Sequence, residues 1–113
     1  MTVRWIPGRG DVVWIAMDPT AAHEQSGRRL ALVITPAAYN GKVGLAILCP
    51  ITSRAKGYPF EVRMPDGLPV EGVVLSDQAE SLDWRAQGAE FLCKVPQETT
   101  LAVLQRLETL VTP

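Results

Sequence analysis

Two polar segments on either side of an apolar stretch hold most of the groups in this chain that are able to act on a substrate. The first, Glu24-Gln25-Ser26-Gly27-Arg28-Arg29, supplies a carboxylate and two guanidinium groups. The second, Thr52-Ser53-Arg54-Ala55-Lys56-Gly57-Tyr58-Pro59-Phe60, supplies a hydroxyl, two more cations and an aromatic ring. Both are expected in loops at strand ends, where functional side chains concentrate on a rigid scaffold. Fixed cations beside an acid and a hydroxyl suit a phosphodiester better than a carbonyl or a sugar, because charge must be stabilised on non-bridging oxygens. With single-stranded RNA as substrate, Glu24 is the candidate base or orienting group for the 2′-hydroxyl. Arg28 and Arg29 are candidates to clamp the phosphate bidentately. Guanidinium is a poor proton donor, so electrostatic stabilisation is its first role. Thr52 offers a hydroxyl donor to a phosphoryl oxygen. Tyr58 is the better candidate to stack on a base, whereas Trp14 and Phe60 are expected in the core.

Composition narrows the chemistry further. The chain of 113 residues is expected to form one domain over residues 1–113. It has one histidine, His23, and two cysteines, Cys49 and Cys93, each within an apolar stretch. That set is too small for a zinc site with ordinary ligand counts, and acid–base catalysis by paired imidazoles is excluded by number. Acidic residues show no spacing suited to a hard cation, so a mechanism without metal or cofactor is expected. The cysteines are expected to pack as small apolar groups in a reducing compartment. Residues 1–63 carry eight Lys and Arg against four acids, and residues 64–113 carry three against eight. A basic face for a short anionic strand is compatible with that asymmetry; a non-specific nucleic-acid coat is not. No apolar run approaches the ~20 residues of a membrane span, and Met1 to Pro7 lacks a signal-peptide core. A cytoplasmic location is expected.

The elements that must position these groups are short. Apolar runs predict strands at 12–17, 29–35 and 43–51, with Pro50 marking an end or an edge. Asn40-Gly41 predicts a turn over residues 37–41. Alternation predicts a half-buried strand at 60–64, and further strands follow at 72–75 and 89–95. Pro96-Gln97-Glu98 opens a helix. Leu101, Leu104, Leu107 and Leu110/Val111 recur along it as one apolar stripe, expected to pack on the sheet. Short strands followed by one helix describe a mainly β fold: a five- to seven-stranded, SH3-like small β-barrel with a C-terminal helix packed on it.

Ordered pieces of this chain resemble the MazF/PemK family of toxin endoribonucleases, closest to its MazF branch. They are Gly10-Asp11-Val12-Val13-Trp14, Asp18-Pro19-Thr20, Glu24 to Arg29, Pro50-Ile51-Thr52-Ser53, Lys56 to Phe60, Asp77-Gln78 and Ser81 to Ala86. The resemblance implies an SH3-like homodimer that cleaves single-stranded RNA, chiefly messenger RNA, without metal. Products would carry a 5′-hydroxyl and a 2′,3′-cyclic phosphate or 3′-phosphate. It implies catalytic roles for Glu24, Arg29 and Thr52, and an RNA groove at Gln25, Lys56, Tyr58, Asp77 and Gln78. The implied partner is a small MazE-like antitoxin with an acidic tail. Where the family usually has Gly-x-Arg-Pro, this chain has Gly27-Arg28-Arg29-Leu30. Leu30 restores a backbone donor and frees φ, and Arg28 stands beside Arg29 as a second candidate phosphate ligand.

Two other readings compete with the nuclease. One is a non-enzymatic, CcdB-like gyrase poison on the same barrel, whose C-terminus carries an aromatic; this chain closes with Leu110-Val111-Thr112-Pro113. The other is an RNA- or peptide-binding barrel without turnover.

Overall fold

The computed structural model describes residues 5–16 and 27–113. Among the described residues, seven strands and two α-helices follow in the order β1 (Asp11–Ala16), β2 (Arg28–Val33), α1 (Ala37–Val43), β3 (Leu45–Thr52), β4 (Glu61–Arg63), β5 (Val73–Leu75), β6 (Glu80–Asp83), β7 (Glu90–Lys94) and α2 (Gln97–Val111), with one short 3-10 turn, Ser76–Gln78, between β5 and β6. The strands form one sheet in the order β4-β5-β3-β2-β1-β7, with β6 also paired to β3, and every pairing is antiparallel. This is the expected mainly β, small-barrel-like fold with its C-terminal helix.

The apolar runs of β1 to β3 are continuous because this part of the sheet is covered on both faces. Val12, Leu32 and Cys49 face one side, joined by Val62, Met64, Val74 and Val103. Val13, Ile15, Ala31, Val33, Ala46, Leu48 and Trp84 face the other. Alternation along one strand therefore feeds two separate cores. Trp14 and Phe60, expected in the core, are half-buried instead.

Strand β3 is central rather than at an edge. Its Leu45–Leu48 half pairs with β6 and its Ile51–Thr52 end pairs with β5. Cys49 and Pro50 fall between the two registers, at the switch from one neighbour to the other. A residue without an N–H is tolerated where no ladder bond is required. Strand β6 escapes sequence patterning because its Glu-Ser-Leu-Asp run has no apolar alternation.

Residues 37–43 form a helix, not the expected turn. The Asn-Gly signal has another origin. Fully buried Asn40 donates to Pro7 O (2.7 Å) and Thr35 O (2.9 Å) and accepts from Thr35 Oγ1 at 2.6 Å. Gly41 lies under Ile6, whose Cδ1 would sit 2.9 Å from any added Cβ. The helix instead ends at Gly44, in the left-handed region at φ 84°. Trp84 Nε1, just beyond the end of β6, donates to Asn40 O in α1 at 3.0 Å.

In α2 the expected stripe is rotated. Thr99, Thr100 and Val103 are buried, with Ala102, Leu104 and Leu107 packed partly against the same core. Leu101, Leu110 and Val111 face solvent. Two threonines at the start of the helix carry contacts that a search for apolar residues alone assigns to leucines. No helix among the described residues is long and apolar enough to cross a membrane.

Candidate functional site

The N-terminal end of β2 and the C-terminal end of β3 lie near one another because the two strands pair antiparallel, Ala31 opposite Pro50. Beyond that pair the chain leaves β3 at Thr52, crosses residues 53–60 and returns as β4. The result is an open hollow of about 420 Å³. Arg29, Thr52, Arg54, Lys56, Tyr58, Glu61, Asp77 and Gln78 line it, over an apolar floor of Pro50, Ile51 and Leu75. A second hollow of about 290 Å³ shares Arg29, Pro50 and Gln78 and continues over Ile15, Ala31, Leu48 and Glu80. Arg29 thus stands where two adjoining hollows meet, which makes a groove longer than either one.

Six expected site residues, Arg29, Thr52, Lys56, Tyr58, Asp77 and Gln78, are brought together here. Arg28 is not among them. Successive strand residues point to opposite faces, and Arg28 turns to the side where its guanidinium lies 5.4 Å from the Trp14 ring centroid and 3.4 Å from Glu90 Oε2. Glu24 and Gln25 lie outside the described residues. Leu30, which replaces the family proline, is opposite Trp14 in the β1–β2 ladder.

Local hydrogen bonds prepare the site. The Thr52 hydroxyl accepts the N–H of Arg54 at 3.1 Å, so its own proton is free to be donated elsewhere. Lys56 Nζ lies 6.0 Å from the Tyr58 ring centroid, and Tyr58 is 58% exposed. An exposed tyrosine framed by cations is suited to stacking on a base. Arg29, Arg54 and Lys56 form no ion pair with another described residue, which leaves their charge available to an anionic strand. Under the floor, burial first and the Asp77 carboxylate second push the Cys49 thiol up to about 12. Burial, then Asp11, also raises that of Cys93. Both are packing thiols, since the nucleophilic form is disfavoured.

Glu61 and Arg54 also line the hollow; sequence reasoning counted Arg54 only among the cations of its segment and gave Glu61 no site role. Glu61 reads as one member of the alternating 60–64 strand. Only its position at the return of the loop signals more.

Comparison with known proteins gives a consistent result. The family of PemK-like, MazF-like toxins of type II toxin–antitoxin systems matches residues 8–111. The endoribonuclease toxin MazF of Escherichia coli K12 is 40% identical over 111 residues, 98% of this chain and 99% of that one. Endoribonuclease PemK of E. coli is 39% identical, covering 92% of this chain and 81% of its own. The crystal structure of MazF from Deinococcus radiodurans superposes with a TM-score of 0.87 at 51% identity, over 97% of this chain and 100% of that one. A MazE–MazF complex from the same organism superposes with a TM-score of 0.85 at 47% identity, over 96% and 98% of the two chains.

Proposed function

The chain belongs to the PemK-like, MazF-like toxins of type II toxin–antitoxin systems, and from that premise we propose that it is an endoribonuclease cleaving single-stranded RNA, chiefly messenger RNA, and so inhibiting translation and growth. The observation that carries this reading is the convergence of Arg29, Thr52, Lys56 and Tyr58 on one open groove. Its length and charge suit an extended strand rather than a small molecule.

In this mechanism Glu24 takes the proton of the 2′-hydroxyl, and the 2′-oxygen attacks the adjacent phosphorus. The bond from phosphorus to the 5′-oxygen breaks, and the departing oxygen takes up a proton from water to become a 5′-hydroxyl end. The other product is a 2′,3′-cyclic phosphate, which a water molecule hydrolyses to a 3′-phosphate. Arg29 stabilises the negative charge gathered on the non-bridging oxygens, and the free Thr52 proton is donated to one of them. Lys56 holds a neighbouring phosphate while Tyr58 stacks on a base. Asp77 and Gln78 face the same groove with acceptors and an amide donor, suited to base edges. No step needs a metal ion.

The MazE–MazF complexes of Deinococcus radiodurans support a MazE-like antitoxin as partner, its acidic segment covering the cationic groove. The working form is a cytoplasmic homodimer. The test is incubation of the purified protein with mixed-sequence RNA in EDTA. Fragments with 5′-hydroxyl ends are the expected result. Intact RNA overturns the proposal.

A further inference from the structure

We infer that Glu61 and Arg106 are positioning residues that hold the 53–60 loop in its RNA-binding shape before RNA arrives; the inference rests on the endoribonuclease reading above. Residues 53–59 are all exposed, so the apolar core does little to order them. Glu61 and Arg106 nevertheless hold four of the loop's backbone groups. Glu61 Oε2 accepts the Lys56 N–H and Oε1 accepts the Gly57 N–H, both at 2.9 Å. The Glu61 N–H donates to Tyr58 O at 3.1 Å. From the C-terminal helix, Arg106 Nε donates to Pro59 O at 3.1 Å. Arg106 is itself anchored, because its Nη1 donates to Ala102 O at 3.2 Å, one turn back on α2.

Two features connect this arrangement to binding rather than to stability alone. First, two of the clamped residues, Lys56 and Tyr58, line the groove. Fixing the backbone at 56 and 57 sets where the Lys56 ammonium and Tyr58 ring stand. Second, a carboxylate in a groove for RNA is repulsive unless its charge is occupied. Glu61 spends both oxygens on amide dipoles and forms no ion pair with another described residue, so Lys56 and Arg54 stay free for phosphate. Two successive N–H groups thus converge on one carboxylate, and Gly57, at φ 83°, then turns the chain toward Tyr58 in a conformation that favours glycine. A loop ordered in advance removes an entropy loss that the RNA otherwise meets on binding.

The experiment is steady-state cleavage of a defined RNA by the full chain and by Glu61→Ala, Glu61→Gln and Arg106→Ala, with melting temperature and amide exchange at Lys56 and Gly57. Losing a charged acceptor shared by two backbone donors is expected to raise KM about tenfold in Glu61→Ala, with kcat within about twofold. Glu61→Gln keeps one acceptor oxygen and is expected to fall between parent and alanine variant. Exchange at both amides is expected to accelerate in Glu61→Ala. A merely structural role lowers the active fraction, and hence apparent kcat, without moving KM. Unchanged KM and unchanged exchange in Glu61→Ala overturn the inference while a cleaving parent leaves the endoribonuclease reading intact. A parent that leaves RNA whole sinks that reading; amide exchange still decides whether Glu61 orders the loop, and unchanged exchange would refute it.

Discussion

Gly72 is the position where a single methyl group tests how closely the site depends on its supporting strands. It precedes β5, whose Val73 pairs with Thr52. Its φ is +114°, and a Cβ built there would lie 2.1 Å from Thr52 O, 2.8 Å from Thr52 C and 3.0 Å from Ser53 Cα. All three are backbone atoms, so relief requires moving the end of β3 that bears the Thr52 hydroxyl. Gly67 provides the control: its φ is +94°, with nothing within 4 Å of the added carbon. Both alanine variants carry the backbone strain of an L-residue at positive φ, about 1–3 kcal/mol. Only Gly72→Ala adds overpacking against a fixed neighbour, about 1–3 kcal/mol more. Urea unfolding should therefore separate the variants by about 2 kcal/mol, or several degrees in melting temperature for a domain of this size. RNA cleavage by Gly72→Ala should fall at least about tenfold in kcat, because sub-ångström placement of a transition-state donor is costly to lose. Gly67→Ala should keep near-parental kcat. If the two unfold within about 0.5 kcal/mol of each other and cleave alike, the approach of Gly72 to Thr52 is not as described.

Three further outcomes follow from the site and its supports. Arg29→Ala should lose about 100-fold or more in cleavage rate, as for removal of one transition-state donor. Arg28→Ala, whose side chain faces Trp14 and Glu90, should lose less than about tenfold; comparable losses in initial-rate assays would return Arg28 to the phosphate. Asn40→Ala leaves two carbonyls and the Thr35 hydroxyl without their partner in a buried site and should cost about 2–4 kcal/mol in chemical denaturation. The Cys49 thiol is raised from 9.0 to about 12 by burial and by Asp77. The folded state thus keeps a proton that the unfolded state releases. Its contribution is complete below pH 9 and declines as pH rises towards 12, at up to about 1.4 kcal/mol per pH unit. Cys49→Ala should be less stable below pH 9 but flatter over that window, and parallel profiles would contradict the assignment.

Several parts of this protein are local properties of its chain, and others arise only where distant segments meet. Runs such as Val12–Ala16 and Leu30–Ile34 announce strands because no other short element buries consecutive β-branched and apolar residues so well. Pro96 followed by Gln97 and Glu98 announces α2 for an equally local reason. Ordered motifs were enough to assign the family and the hydroxyl, guanidinium and aromatic groups to one region. The helix at 37–43 was hidden because Asn40-Gly41 takes its meaning from Pro7, Thr35 and Ile6, up to 35 residues away along the chain (Gly41 to Ile6). Strand β6 was hidden because its pairing with β3, not its own side chains, makes it a strand. The separate fates of Arg28 and Arg29 follow from the pleat, which sends neighbours to opposite faces once β2 is built. Glu61 acquires its role only when the chain folds back so that its carboxylate meets the amides of Lys56 and Gly57. Composition and spacing determine which groups are available, because propensity and patterning act over a few residues. Tertiary packing decides which of them share a groove, because register and loop closure join residues that no local pattern connects.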